Sequence, residues 1–224
     1  MAPRTRAEAL SRERIVEAAV GLLDTAGERG LTFKTLTERL ATGPGAIYWH
    51  VPNKGALLDA ATASVIAGAL AVEATGSPLR EIRALALGLF DAVDRHPWLP
   101  PQLAAQLSRS PWGSVTPRIF ESIGQRVSAL DVPETTWFTA TSALVHYIFG
   151  AAGQNAANSR VAGVDRAEFL HAAADAWEGL DPAEFPFLRS IAGDARDHDD
   201  REQFLTGLDL ILAGMTGAGG SRRP

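Results

Sequence analysis

Apolar residues recur along most of the chain at the three- and four-residue spacing of an α-helix, and the alternation typical of β-strands is scarce. The first such stripe follows Ser11, a residue type that caps helix N-termini, and it ends where Gly27 and Gly30 interrupt the pattern. The apolar positions of this stripe are Ile15, Ala18, Ala19, Leu22, Leu23 and Ala26. The pattern therefore predicts an all-α fold.

Two short helices and a longer one follow the first helix. Thr32 is placed to cap a second helix, and Pro44 suits the first turn of a third, because its missing N–H costs nothing there. This third helix is expected to span 44–50, since a residue before a proline, here Val51, avoids the α-helical region. Asn53 then caps a longer fourth helix.

The rest of the chain is predicted to form a larger helical body. We expect a head over 1–62, a body over 63–216 and a disordered tail over 217–224. Between 181 and 194 two prolines leave room for only a turn of helix. Loops are expected over 108–117 and 157–165, and the helices of the body over 78–95, 101–108, 115–130, 133–157, 166–178 and 199–215.

Composition narrows the function classes. The chain has no cysteine, which excludes disulfides, thiolate metal sites and cysteine nucleophiles. It has no secretory signal and no apolar stretch of about 20 residues, so we expect a cytoplasmic protein without a membrane span. The net charge is −5, but the first 62 residues hold eight Lys or Arg against seven Asp or Glu, a net charge of +1. A slightly basic head on an acidic body is compatible with a DNA-binding head.

The segment 31–58, LTFKTLTERLATGPGAIYWHVPNKGALL, is the most informative part of the sequence. Its order is helix, tight turn, short helix and capped longer helix, which is the layout of a helix-turn-helix. Tyr48, Trp49 and His50 crowd the end of the short helix, where hydrogen-bonding ring edges can reach phosphates. Packing of Trp49 on the first helix, and a capping or core role for His50, are the structural alternatives.

This segment resembles the DNA-binding domain of the TetR family of bacterial repressors, and the run AIYWHVPNKGALLDA is especially similar to the tetracycline-repressor branch. In the body, ATSALVHYIFGA and REQFLTGLDLILAG resemble the two long bundle helices of that branch. The resemblance implies a ligand-responsive repressor that binds palindromic double-stranded operator DNA as a homodimer, without enzymatic activity and without a cofactor.

The resemblance also implies roles for matching positions in the head. Some positions lie where base edges are approached, and others match phosphate-contacting or supporting residues. The predicted DNA-binding residues are Lys34, Thr42, Pro44, Gly45, Ala46, Tyr48, Trp49, His50 and Lys54. Because 44–46 offer no polar side chain, base recognition would depend on Lys34, on thymine methyl groups and on DNA shape.

In the body, the resemblance implies a four-helix bundle made from the last two long helices of each subunit, although an intramolecular core would also explain their apolar faces. Aromatic residues with a few polar groups suit a pocket for a small apolar effector, but most aromatics at helical spacing belong to a core. The candidate ligand-binding residues are Trp98, Leu103, Phe120, Gln125, Trp137, His146, Tyr147, Phe149 and Trp177.

Tetracycline itself is not the expected effector. Positions that contact the drug and magnesium in that branch carry Leu70, Leu85 and Leu103 here, and leucine supplies no ligand to a cation. The acidic run from Asp194 to Asp200 is interpreted as the start of a helix rather than a metal site. The rival hypothesis is a helical small-molecule-binding protein or enzyme with a vestigial DNA-binding head.

Overall fold

A computed structural model describes residues 10–109, 112–158 and 165–219. Every regular element in these ranges is helical, which confirms the all-α prediction. A 3₁₀ turn at Glu134–Thr136 precedes α8. The helices are α1 Arg12–Gly30, α2 Phe33–Leu40, α3 Pro44–His50, α4 Lys54–Ala69, α5 Pro78–Arg95, α6 Leu99–Arg109, α7 Val115–Ser128, α8 Trp137–Asn158, α9 Arg166–Glu178, α10 Pro186–Ser190, α11 Ala192–Arg196 and α12 Asp200–Gly219.

The head consists of α1–α3 and the first turns of α4, and its helices begin at the predicted caps. Ser11 accepts a hydrogen bond from the Arg14 N–H at 3.3 Å, and Asn53 accepts one from Ala56 at 2.8 Å. Thr32 forms a capping box with Thr35. Each cap satisfies backbone donors that the first turn of a helix leaves free.

The body is built around α8, which packs against α5, α7 and α12. Helix α4 joins head to body, because it packs against α1 on one side and against α5, α6 and α7 on the other. Gly88 allows the close approach of α5 to α4: a Cβ atom there would lie 2.7 Å from the carbonyl oxygen of Ala69. A side chain at position 88 would therefore force α4 and α5 apart.

Some predicted boundaries were wrong. The segment 181–194 was expected to hold a single turn, but α10 and α11 occupy most of it, because Pro186 starts a helix instead of ending one. Helix α1 continues past Gly27, which kinks it with a φ of 62°. Helix α12 extends to Gly219, and the remainder of the predicted disordered tail, 220–224, lies outside the described residues.

No helix within the described ranges is both long and apolar enough to cross a membrane.

Candidate DNA-binding surface and effector cleft

Helix α3 is held in place from one side and open on the other. Ile47 and Val51 are fully enclosed, and so is Leu36 of α2, which fixes the short helix against the head. The predicted base-reading residues Pro44, Gly45 and Ala46 lie on its exposed first turn. Because these residues have no large side chains, the backbone of this turn is open to solvent.

The aromatic run at the end of α3 presents two rings to solvent. Tyr48 is 50% exposed and stacks on Phe33 of α2, with ring centroids 4.2 Å apart and an interplanar angle of 10°. Trp49 is 84% exposed and meets the His50 ring edge-on, with centroids 5.0 Å apart. Packing of Trp49 on α1 is therefore wrong as an explanation of this residue. The stacking on Phe33 fixes the orientation of the Tyr48 ring while half of the residue stays exposed to solvent.

The two predicted lysines have different surroundings. Lys34 is exposed in the first turn of α2. Lys54 donates from Nζ to the carbonyl oxygen of Glu28 at 2.6 Å and lies 3.9 Å from the carboxylate of the same residue. Lys54 thus ties the start of α4 to the end of α1. Thr42, also predicted, is half-buried in the turn, where its N–H donates to the Thr37 carbonyl at 3.1 Å.

A cleft of about 250 Å³ opens in the body between α5, α6 and α8. Three of the predicted ligand-binding residues meet there, namely Leu103, His146 and Phe149. The imidazole of His146 is the one polar side chain in the lining, and no carboxylate contributes to it. The remaining lining residues are Val93, Pro100, Ala104, Leu107, Val145 and Gly150.

The sequence reasoning missed most of this lining because aliphatic residues and a proline look the same in a pocket as in a core. The usable signal was the spacing on α6, where positions 100, 103, 104 and 107 form one helical face. That spacing marks the apolar face of α6, but a helix packed in a core shows it as well, so it does not identify the cleft by itself.

Other predicted ligand-binding residues lie outside this cleft lining. Tyr147 donates its hydroxyl to the Phe204 carbonyl of α12 at 2.9 Å, and its ring stacks on Phe204. Burial raises the pKa of Tyr147 above its ordinary value of 10.0, so the hydroxyl stays protonated and remains a donor. Trp98 is buried with its indole N–H directed to Asp24 of α1 at 2.7 Å. Both residues connect helices.

Of the remaining candidates, Gln125 is exposed on α7 and donates to Glu121 at 2.6 Å. Phe120 and Trp137 are half-buried and pack against the hydrophobic core. Trp177 lies on α9, which packs with α10 and α11. Their contact with a ligand stays a prediction.

The acidic run before α12 contributes the N-terminal cap of that helix. Asp199 accepts a hydrogen bond from the Glu202 N–H at 2.7 Å, which caps the helix. The carboxylate of Asp200 forms an ion pair with the guanidinium of Arg166 on α9, at 2.7 Å, and lies 2.9 Å from the imidazole Nε2 of His198. These contacts agree with the interpretation of the run as a helix start.

Comparison with known proteins decides the family. Residues 15–61 match the model of bacterial regulatory proteins of the tetR family, and residues 75–218 match the tetracyclin repressor-like C-terminal domain. The chain belongs to the TetR family. It is a ligand-responsive, DNA-binding repressor of transcription. Regulators of this family act by binding DNA, and the head and body described above correspond to its two matched domains.

Among solved structures, the transcriptional regulator SCO7222, a TetR from Streptomyces coelicolor, is 63% identical, with a TM-score of 0.88 over 93% of this chain and 99% of that one. The repressor DrrR1 of Streptomyces coeruleorubidus is 29% identical over 92% of this chain and 77% of its own length. The class D tetracycline repressor of Escherichia coli is 43% identical, but only over 58 residues, which are 26% of this chain and 27% of that protein. The likeness to that repressor is thus much stronger in a short segment than over the whole chain.

Proposed function

We infer that this TetR-family protein is a homodimeric repressor of a palindromic operator that is released from DNA by a compact apolar effector without a bound metal. The effector occupies the cleft between α5, α6 and α8, and the DNA meets α3 and the first turn of α2. The cleft carries the effector assignment, because its lining is aliphatic and aromatic with His146 as its one polar side chain.

The exposed rings of α3 support the DNA assignment. A 50%-exposed tyrosine and an 84%-exposed tryptophan are rarely left on a surface without a partner, and here they follow a turn without bulky side chains. Lys34, exposed beside them, supplies the cation that reaches guanine or phosphate.

Helices α8 and α12 support the dimer. Tyr147 and Gly207 hold them together: a Cβ atom on Gly207 would collide with the Tyr147 hydroxyl. Their outer faces carry exposed apolar side chains, with Phe138 at 77% and Leu210 at 71% exposure. A second copy of the chain would cover these side chains and bring two recognition helices to half-sites spaced by about 34–36 Å.

Tetracycline with magnesium fits this cleft poorly. Leu103, at one of the positions where a polar contact is needed, forms part of its apolar wall, and Leu85 is wholly buried in the core. Unpaired polar groups of a drug would lose their hydration without gaining partners. We therefore expect a neutral or anionic apolar effector, with His146 as its one polar contact.

Release is expected to pass through α4. Helix α6 forms a wall of the cleft and packs directly against α4, whose first turn is tied to α1 by Lys54. Displacement of α6 by an effector would tilt α4 and separate the two recognition helices.

DNA binding is tested with fragments that flank the gene of the protein. We expect affinity that falls steeply with salt concentration, because phosphate contacts release counterions. Lys34→Ala should weaken binding, whereas Ser108→Ala, an exposed change on α6, should not. Binding that is absent, or indifferent to salt, would favour the rival small-molecule-binding or enzyme hypothesis.

The cleft is tested with the fluorescent probe 1-anilinonaphthalene-8-sulfonate, an apolar anion. We expect binding with enhanced fluorescence, weakened about tenfold or more in Ala104→Asp, which places a carboxylate in the lining. Ser108→Asp adds the same charge to the same helix outside the lining and serves as the control. Equal affinity in both variants, or displacement of the probe by tetracycline with magnesium, would contradict the effector assignment.

A further inference from the structure

Helix α6 has a second face that touches the head. Trp98 directly precedes the helix, and Gln102 and Gln106 follow at intervals of one helical turn, each with a side-chain N–H donor. All three donors meet a carboxylate of the head. The cleft-lining positions of α6 lie on its other face, so the same helix contacts both the cleft and the part of the head formed by α1 and α4.

The first contact joins α6 to α1. The indole N–H of Trp98 donates to Asp24 at 2.7 Å, and the neighbouring His96 places its Nδ1 2.7 Å from the same carboxylate oxygen. Trp98 is 6% exposed, and a buried indole N–H needs an acceptor. Asp24 therefore fixes the start of α6 relative to the head.

The second contact depends on the kink in α1. Gln102 donates to the carboxylate of Glu28 at 3.1 Å. Gly27, immediately before Glu28, has φ 62° and ψ −170°, a conformation that glycine adopts without strain and other residues do not. The kink sets the position of Glu28, whose carbonyl oxygen accepts a hydrogen bond from Nζ of Lys54.

The third contact joins α6 to α4 and ends the series. Gln106 is 8% exposed and donates to Asp59. The three hydrogen bonds run in the same direction: an uncharged side-chain N–H group of the body donates to a carboxylate of the head. All three acceptors belong to the head, so a shift of α6 along its axis would break the three contacts together.

We propose that Trp98, Gln102 and Gln106 are positioning residues that couple the effector cleft to the DNA-binding head through Asp24, Glu28 and Asp59. This inference rests on the proposed function and adds to it a direct path from α6 to α1. An effector that pushes on the cleft face of α6 breaks the donor series on the other face. By reciprocity, DNA that holds the head must also hold α6.

The test is hydrogen exchange with and without an operator duplex obtained by selection from random DNA. In the wild type, the operator should slow exchange in 33–50 and also, by about fivefold or more, in 99–109. Gln102→Glu places a carboxylate against Glu28, and in this variant only 33–50 should slow. The double variant Gln102→Glu/Glu28→Gln restores a donor–acceptor pair and should restore the effect in 99–109.

Two controls separate coupling from stability. Ser108→Glu adds the same charge to α6 away from the head and should behave as the wild type does. Thermal unfolding of each variant shows that the fold is retained, as expected for an exposed pair. An operator effect on 99–109 that survives in Gln102→Glu, or that is missing in a wild type whose 33–50 segment slows, overturns the coupling role. Absence of any change in 33–50 overturns the DNA-binding function, and the coupling with it.

Discussion

The two tyrosines of the chain show how surroundings give one residue type two roles. Tyr48 is stacked on Phe33 and half-exposed, with its hydroxyl free to reach a phosphate. Tyr147 donates to the Phe204 carbonyl and stacks on the Phe204 ring, so it joins α8 to α12. Loss of the hydroxyl should therefore affect DNA binding at one tyrosine and folding stability at the other.

For Tyr48→Phe we expect operator affinity to fall about tenfold, because a hydrogen bond to a charged phosphate is lost while the stacked ring remains. The melting temperature should be unchanged. Tyr147→Phe should instead lower the free energy of unfolding by about 1 kcal/mol. Fluorescence anisotropy with labelled operator and thermal unfolding distinguish the two effects, and equal effects of both variants would be inconsistent with these roles.

At the residue scale, the sequence predicted the surroundings of a side chain best where a run of uncommon residue types forms part of a recognisable motif. Tyr48 and Trp49 could be predicted to be exposed because a motif fixed their neighbourhood. The effector residues could not be predicted in the same way. His146 and Phe149 lie in the cleft while Tyr147 between them faces α12, and only the rotation of α8 determines this.

At the scale of elements, the caps and turns of the head follow directly from local sequence. Ser11, Thr32 and Asn53 each begin a helix as expected, because capping is a local interaction. The segment 181–194 was predicted wrongly, because two prolines stop a helix or start one according to what precedes them. The contact of α4 with α5 depends on tertiary structure, and no local pattern reveals it.

Gly88 makes that contact testable. Gly88→Ala should lower the free energy of unfolding by about 1–3 kcal/mol, since the added Cβ meets the backbone of Ala69, which has no flexible side-chain end to move. Gly68→Ala, in the neighbouring helix, meets nothing within 4 Å and should stabilise the protein by up to about 1 kcal/mol. Chemical denaturation measures both values. A neutral Gly88→Ala would show that α4 and α5 separate easily.

Glu81 offers a test of how the loop before α5 is held. It accepts from the Thr75 N–H at 2.8 Å and from the Gly76 N–H at 3.2 Å, and Arg126 of α7 lies 3.2 Å away. The Thr75 hydrogen bond first, with Gly76 and Arg126 adding to it, holds the pKa of Glu81 below its ordinary value of 4.5. The ionised carboxylate thus stabilises the folded state above that value.

Glu81→Gln should therefore lower the melting temperature at neutral pH. The difference from the wild type should shrink as the pH falls below 4.5 and through the lowered pKa of Glu81, because the wild-type carboxyl group then becomes protonated. Thermal unfolding between pH 7 and pH 3 measures this. A difference that stays constant across the range would assign the effect to packing instead of charge.

At the scale of the whole molecule, the proposed repressor is a homodimer that brings two heads to one operator. Leu210→Arg places a charge on the exposed face of α12 and should convert a dimer to monomers, with a loss of operator affinity of about tenfold or more. Leu79→Arg, an exposed leucine on α5, is the matched control and should remain dimeric. Sedimentation velocity gives the oligomeric state. A Leu210→Arg protein that stays dimeric would place the interface elsewhere.

The most direct test of a palindrome-binding repressor is to sequence the DNA that the purified protein selects from a random pool. We predict one enriched motif with two inverted half-sites whose centres lie about 10 base pairs, or a multiple of that, apart. This spacing should match the distance between the two recognition helices of the dimer. The same motif should be found beside genes that the protein regulates. A pool that shows no enriched motif after repeated selection, or one that enriches a single unrepeated site, would contradict this function.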